Sequence, residues 1–156
     1  MNRLIATLFA WVLTLTGCAV PSDPPEPKLG LSLFGTSLVV WVPKCGSDDL
    51  VTSEVWDLGT VTRQDAKPIW HAQFVKGTDG TTGQMLDKTN RSLLQVRGDY
   101  DALTSVQVTV ETTSNQTFVG NAQKSQLSVS GVLLDGEMLT PEAWRARARL
   151  QCRPAT

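Results

Sequence analysis

From residue 30 to residue 156 the sequence predicts an all-β domain, a two-sheet antiparallel sandwich. Three observations carry that expectation. Short apolar runs recur at spacings of about 8–12 residues. Val, Ile, Thr and Trp are concentrated in those runs, as expected of residues that fit a pleated, half-buried surface. The intervals between them are rich in Gly, Asp and Ser, which turn the chain for their own backbone reasons. Some seven or eight runs of this kind form the pattern of an immunoglobulin-like sandwich.

Taken in order, residues 37–45 place Leu38, Val40 and Val42 on one face and Val39 and Trp41 on the other. Both faces are apolar, which predicts a strand interior to its sheet and covered on both sides. Gly46-Ser47-Asp48-Asp49 is a turn signal. The run 50–58 sets Val51 and Val55 against Glu54 and Trp56, and 68–75 sets Trp70, Ala72 and Phe74 against His71 and Gln73. Residues 77–83 read as a glycine-rich loop and 92–97 as a short strand. The clearest alternation is Val106, Val108 and Val110 against Gln107, Thr109 and Glu111, the signature of a strand buried on one side. Strands follow at 117–120 and 127–134, the latter closed by Asp135-Gly136, a dipeptide suited to two-residue hairpins.

Two periods compete over 141–151. Thr140-Pro141-Glu142 supplies a hydroxyl cap, a proline in the first turn and an acid at the positive end of a helix dipole. Against it, Trp144, Ala146, Ala148 and Leu150 alternate with Arg145, Arg147, Arg149 and Gln151 in strict period two. The helix signals outnumber the strand signal, and the choice between them stays open from sequence.

A chain of 156 residues with a formal net charge of -1 has room for one core of ordinary size and generates no field to gather a polyanion, so nucleic acid is not an expected partner. A single histidine, His71, and three cysteines, Cys18, Cys45 and Cys152, remove most metal sites and nucleophile–base pairs, and no cofactor is expected.

The first seventeen residues have a separate logic. Arg3 gives a positive start, and residues 4–15 form an uncharged apolar stretch of about a dozen, the length of a signal-peptide core and short of the roughly 20 a bilayer span requires. The stretch ends in Leu15-Thr16-Gly17-Cys18, which resembles the lipobox of bacterial lipoproteins. That resemblance implies diacylglycerol on the Cys18 thiol, cleavage after Gly17, and a mature chain held to a membrane, in the cell envelope and outside the cytoplasm. Residues 18–29 follow as a tether, where Pro21, Pro24, Pro25 and Pro27 favour extended backbone. At roughly 3.1 Å per residue such a spacer reaches about 30 Å.

With lipid on Cys18, the odd cysteine count resolves if Cys45 and Cys152 pair in an oxidising compartment. Chemistry elsewhere is thin. Among Trp41, Trp56, Trp70 and Trp144, the first three lie inside strands and are expected in the core, whereas Trp144 with Arg145 and Arg147 is expected as an exposed ligand surface with an arginine stacked on the indole. Asp48, Asp49, Asp79, Asp99 and Asp101 fall in loops without the spacing of a calcium loop. His71 sits in an alternating strand, no G-x-S-x-G occurs, and the loop 77–83 has no lysine of the phosphate-binding kind. No catalytic or metal set emerges. The expected function is a non-catalytic binding or structural module of the envelope, with a protein or glycan as partner. The alternative is a cell-wall-directed hydrolase or carbohydrate-binding module, which requires Asp48, Asp79, Asp99 and Asp101 to share a cleft, or an exposed Trp.

Overall fold

The computed structural model describes residues 28–63 and 65–152, so the leader, Cys18 and nearly all of the tether lie outside the described residues. Ten strands and one α-helix follow in chain order: β1 (Gly30–Phe34), β2 (Ser37–Trp41), β3 (Leu50–Asp57), β4 (Trp70–Phe74), β5 (Gln84–Met85), β6 (Leu93–Gly98), β7 (Ser105–Thr112), β8 (Thr117–Gln123), β9 (Val132–Leu134), β10 (Glu137–Leu139) and α1 (Pro141–Gln151). They form two five-stranded antiparallel sheets, ordered β10-β9-β1-β2-β5 and β6-β4-β3-β7-β8.

Strand patterning explains how the layers stack. Val106, Val108 and Val110 of β7 are fully buried, as are Val55 of β3 and Ala72 of β4, while Gln107, Thr109 and Glu54 turn outward. The second sheet therefore has one apolar face. The first has two. Leu31, Leu38, Val40 and Leu133 point from it into the core shared with the second sheet. Val132, Leu134 and Leu139 point the other way and meet Trp144 and Ala148 of α1, with Trp41 against them. Helix, first sheet and second sheet thus make three layers, and the doubly apolar run at 37–45 supplies, over Ser37–Trp41, the strand between the two cores.

Residues 141–151 are helical because the capping chemistry is satisfied and the packing rewards a period of 3.6. Thr140 Oγ1 accepts from the Ala143 amide at 3.2 Å, and Pro141 occupies the first turn. Trp144 and Ala148, four residues apart, share the buried side; Leu150, on the same stripe as Trp144 in a strand, is 58% exposed here. The indole lies against bare backbone: a Cβ at Gly30 would stand 2.6 Å from Trp144 Nε1, so glycine is what lets it approach.

Three expectations need correction. Val51 does not join Val55 inside, because the β3–β7 register shifts between Leu50 and Thr52 and turns Val51 to solvent. Of the run 127–134, only Val132–Leu134 is strand; residues 128–131 form a loop held by the bond from Leu33 N to Ser128 O. Among the described residues the strands number ten rather than seven or eight: β5 and β10 are too short to carry a period-two signal, and β1, where Leu31 and Leu33 alternate with Ser32, precedes the first run named above. The Asp135-Gly136 hairpin is as expected: Glu137 pairs with Leu134, and both turn residues have positive φ, 50° and 82°.

Tyr100, just beyond β6, ties the sheets together. Its hydroxyl donates to the Leu86 carbonyl and accepts from the Leu38 amide at 3.1 Å. Burial foremost, with the fields of Asp87, Asp101 and Asp99, pushes the phenol up to about 12 although the Leu38 amide favours the phenolate. Replacing Tyr100 with Phe strands a donor and an acceptor inside the protein, and a loss of about 2 to 4 kcal/mol in denaturant unfolding is expected. The raised value works in one direction: wild-type stability falls as pH climbs above the ordinary phenol value of 10.0 towards 12, and Y100F lacks that alkaline limb. With one tyrosine in the chain, ultraviolet titration of the phenolate reads this group alone.

Candidate functional site

The last turn of α1, the loop after β2 and the point where the chain enters the domain come together at one end of the molecule. Cys45 and Cys152 are bonded, with their Cα atoms 5.0 Å apart and a sequence separation of 107. One residue before Cys152, Gln151 Oε1 accepts from the Lys28 amide at 3.1 Å. A cleft of about 300 Å³ opens beside the bridge, lined by Lys44, Gly46 and Thr81 on one side and Trp144, Arg145, Ala148 and Arg149 on the other.

Trp144, expected at the surface, is completely buried; the physical reason is the layer of apolar side chains on the outer face of the first sheet, which an 11-residue helix with few apolar positions covers mainly through this one indole. The arginine stacked on a tryptophan is Arg145, and its ring is Trp41, at 5.7 Å. Trp41 itself is half-buried, meets Trp144 edge-on at 5.6 Å and donates from Nε1 to Ser32 Oγ at 2.8 Å. Arg147 points away from the cleft and pairs with Glu137 at 2.6 Å. So Arg145 and Arg147, expected on one surface with Trp144, serve different neighbours. Trp70 is in the shared core, as expected, whereas Trp56 is half-buried on the outer side of β3. Lys44 and Arg149, which line the cleft, went unnoticed as site residues: nothing local marks them, and it takes the bridge and the docking of α1 on the first sheet to bring residue 44 alongside residue 149.

The loop carboxylates do not gather. Asp79 receives Lys44 Nζ at 3.3 Å and Asp48 accepts from Ser114 Oγ at 2.6 Å, both beyond the C-terminal end of β2. Asp99 and Asp101 flank Tyr100, whose hydroxyl meets Leu38 at the opposite end of that strand. A shared acid–base cleft built from Asp48, Asp79, Asp99 and Asp101 is therefore not what the fold provides. His71 Nδ1 lies 3.5 Å from Glu54 Oε1 on the outer face of the second sheet, half-exposed as expected.

Asp87, in a cleft with Asp99 and Asp101, is a turn acid rather than a reactive one. Burial works to raise it, but Thr89 (hydroxyl and amide), the Ser37 hydroxyl and the Asn90 amide donate to the carboxylate and hold it below its usual value of 3.8. A depressed acid stabilises the fold above its unfolded value and ceases to as pH falls through its folded one. The stability gap between wild type and Asp87→Asn should accordingly narrow below pH 3.8 and be constant above it, measured by thermal unfolding across the acid range.

Among the described residues no helix is long and apolar enough to cross a membrane, and no group of three or more His, Cys, Asp or Glu is placed to hold a metal ion. Set beside known proteins, the chain matches no family model, no curated protein and no solved structure.

Proposed function

We propose that this chain is a lipid-anchored, extracytoplasmic module of the bacterial envelope, with a non-catalytic binding or structural role towards an envelope protein or glycan. The observation that carries the reading is the tetrapeptide Leu15-Thr16-Gly17-Cys18 at the end of an apolar stretch of signal-peptide length. Cysteine bookkeeping supports it: with Cys45 bonded to Cys152, Cys18 is the thiol that remains for lipid, and a structural disulfide suits an oxidising compartment. The two five-stranded antiparallel sheets around a common core support reading the body as an immunoglobulin-like sandwich that presents loops and faces. Diacylglycerol with or without a third chain supplies the two or more acyl chains that stable anchoring takes.

Intact-mass analysis of protein extracted from membranes tests this. Wild type should have lost residues 1–17 and gained the mass of a diacylglycerol, while Cys18→Ser should be neither trimmed after Gly17 nor lipidated. A Cys18→Ser product cut at the same bond and still sedimenting with membranes would sink the anchor.

A further inference from the structure

The cleft beside the bridge has a definite position relative to the tether. The Lys28 amide donates to Gln151, Gln151 precedes Cys152, and Cys152 is bonded to Cys45, whose neighbours Lys44 and Gly46 form a wall of the cleft. Whatever holds the chain at residue 18 therefore holds this end of the domain towards it. Three cations and a hydroxyl line the cleft, from Lys44, Arg145, Arg149 and Thr81, and no carboxylate does.

The cations are not equally available. Lys44 is shared with Asp79 at 3.3 Å and Asp49 at 3.9 Å, outside the lining. Arg145 has Glu142 at 3.6 Å, but that carboxylate is 79% exposed, and such surface pairs hold weakly. The Trp41 ring under its guanidinium fixes its direction without consuming its donors. Arg149, in the last turn of α1, is exposed.

We infer that this cleft binds the phosphate of an anionic lipid headgroup in the membrane to which the tether attaches. The inference rests on the lipoprotein reading. Guanidinium groups match phosphate oxygens in a forked geometry, and a planar pair of them at a cleft mouth can take one phosphate from two sides. With a net charge of -1 the protein has no long-range attraction to an anionic surface, so the contact is local and depends on being held close. A tether of about ten residues does that, raising the effective headgroup concentration to the point where a weak single-site contact is occupied.

The test separates this from the anchor itself. The mature chain from residue 18 with Cys18→Ser, disulfide intact, carries no lipid, so its sedimentation with vesicles reports the cleft whatever the fate of Cys18 in the cell. Vesicles of phosphatidylglycerol and phosphatidylcholine at low salt should bind it, and pure phosphatidylcholine should not. The double variant Arg145→Gln/Arg149→Gln should bind about 25-fold more weakly, at about fivefold per charge. Arg147→Gln, which removes a charge outside the cleft, should bind as the parent does. Equal loss in both variants means a diffuse charge effect and overturns the cleft. Binding of inorganic phosphate, read by Trp fluorescence, with no preference for anionic vesicles overturns the lipid assignment. Matched thermal midpoints of parent and variants establish that each comparison is between folded proteins.

Discussion

Opening the Cys45–Cys152 bridge is expected to cost about 4 to 5 kcal/mol of folding stability, close to half of what a domain of this size usually has. The bond closes a loop with a sequence separation of 107, which is nearly the whole described chain, and cross-links that span many residues remove the most freedom from the unfolded state. On the folded side the half-buried Cys45 packs against the shared core, and Cys152 caps α1. The Cys45→Ser/Cys152→Ser double variant should therefore melt on the order of 15 °C below the oxidised parent, and reductant should bring the parent to the same midpoint while leaving the variant unmoved. A shift of only a degree or two would show that the helix end is held by other contacts.

Truncating Trp144 to Ala is the second large effect. The side chain is fully buried between α1 and the first sheet, and deletion of a large buried aromatic costs about 3 to 5 kcal/mol through lost transfer free energy and the cavity left behind. Hydrogen exchange should locate the damage, with amides of α1 losing protection before those of β3 and β7, because the helix then keeps only Ala148 as buried packing, with the bridge and polar contacts such as Arg147–Glu137 at its edges. Gly30→Ala probes the same interface from the opposite side, since the added methyl would meet the indole. In the native background it should destabilise clearly; in the Trp144→Ala background its cost should shrink but not vanish, because the contact with the indole is gone while the added methyl still meets Val132 Cγ1. Simple additivity of the two substitutions would contradict the packing described above.

These layers also show what could be read from residues alone. The strands that face solvent on one side, β4 and β7, announced themselves by strict alternation, and the Asp135-Gly136 hairpin by its backbone demands. The run at 37–45 announced two covered faces without saying what covered the second. That answer lay a hundred residues away, in a helix whose period-two disguise comes from arginines spaced two apart, and whose one large buried residue points at a glycine. Strands β5 and β10 were invisible because, at two and three residues, each is defined by its neighbours' backbones rather than by its own side chains, whereas Leu31 and Leu33 around Ser32 in β1 do alternate. The pairing of Cys45 with Cys152 followed from counting, but the cleft beside it did not: Lys44 and Arg149 are brought together by that bond and by the docking of α1 on the first sheet. The carboxylates told least, since an acid in a turn looks the same in sequence whether it meets another acid or, like Asp79, a lysine and an amide.

The pairing of β1 governs how the body would bear tension. A pull at residue 28 runs directly into β1, which lies between β2 and β9 and shares five paired positions with β2. Force along that strand loads those bonds together in shear instead of peeling them one by one. The hairpin at the far end of β1, where Phe34 is exposed, and the neighbouring Val129 loop lie beyond the loaded segment. A strained tether would leave that tip undistorted.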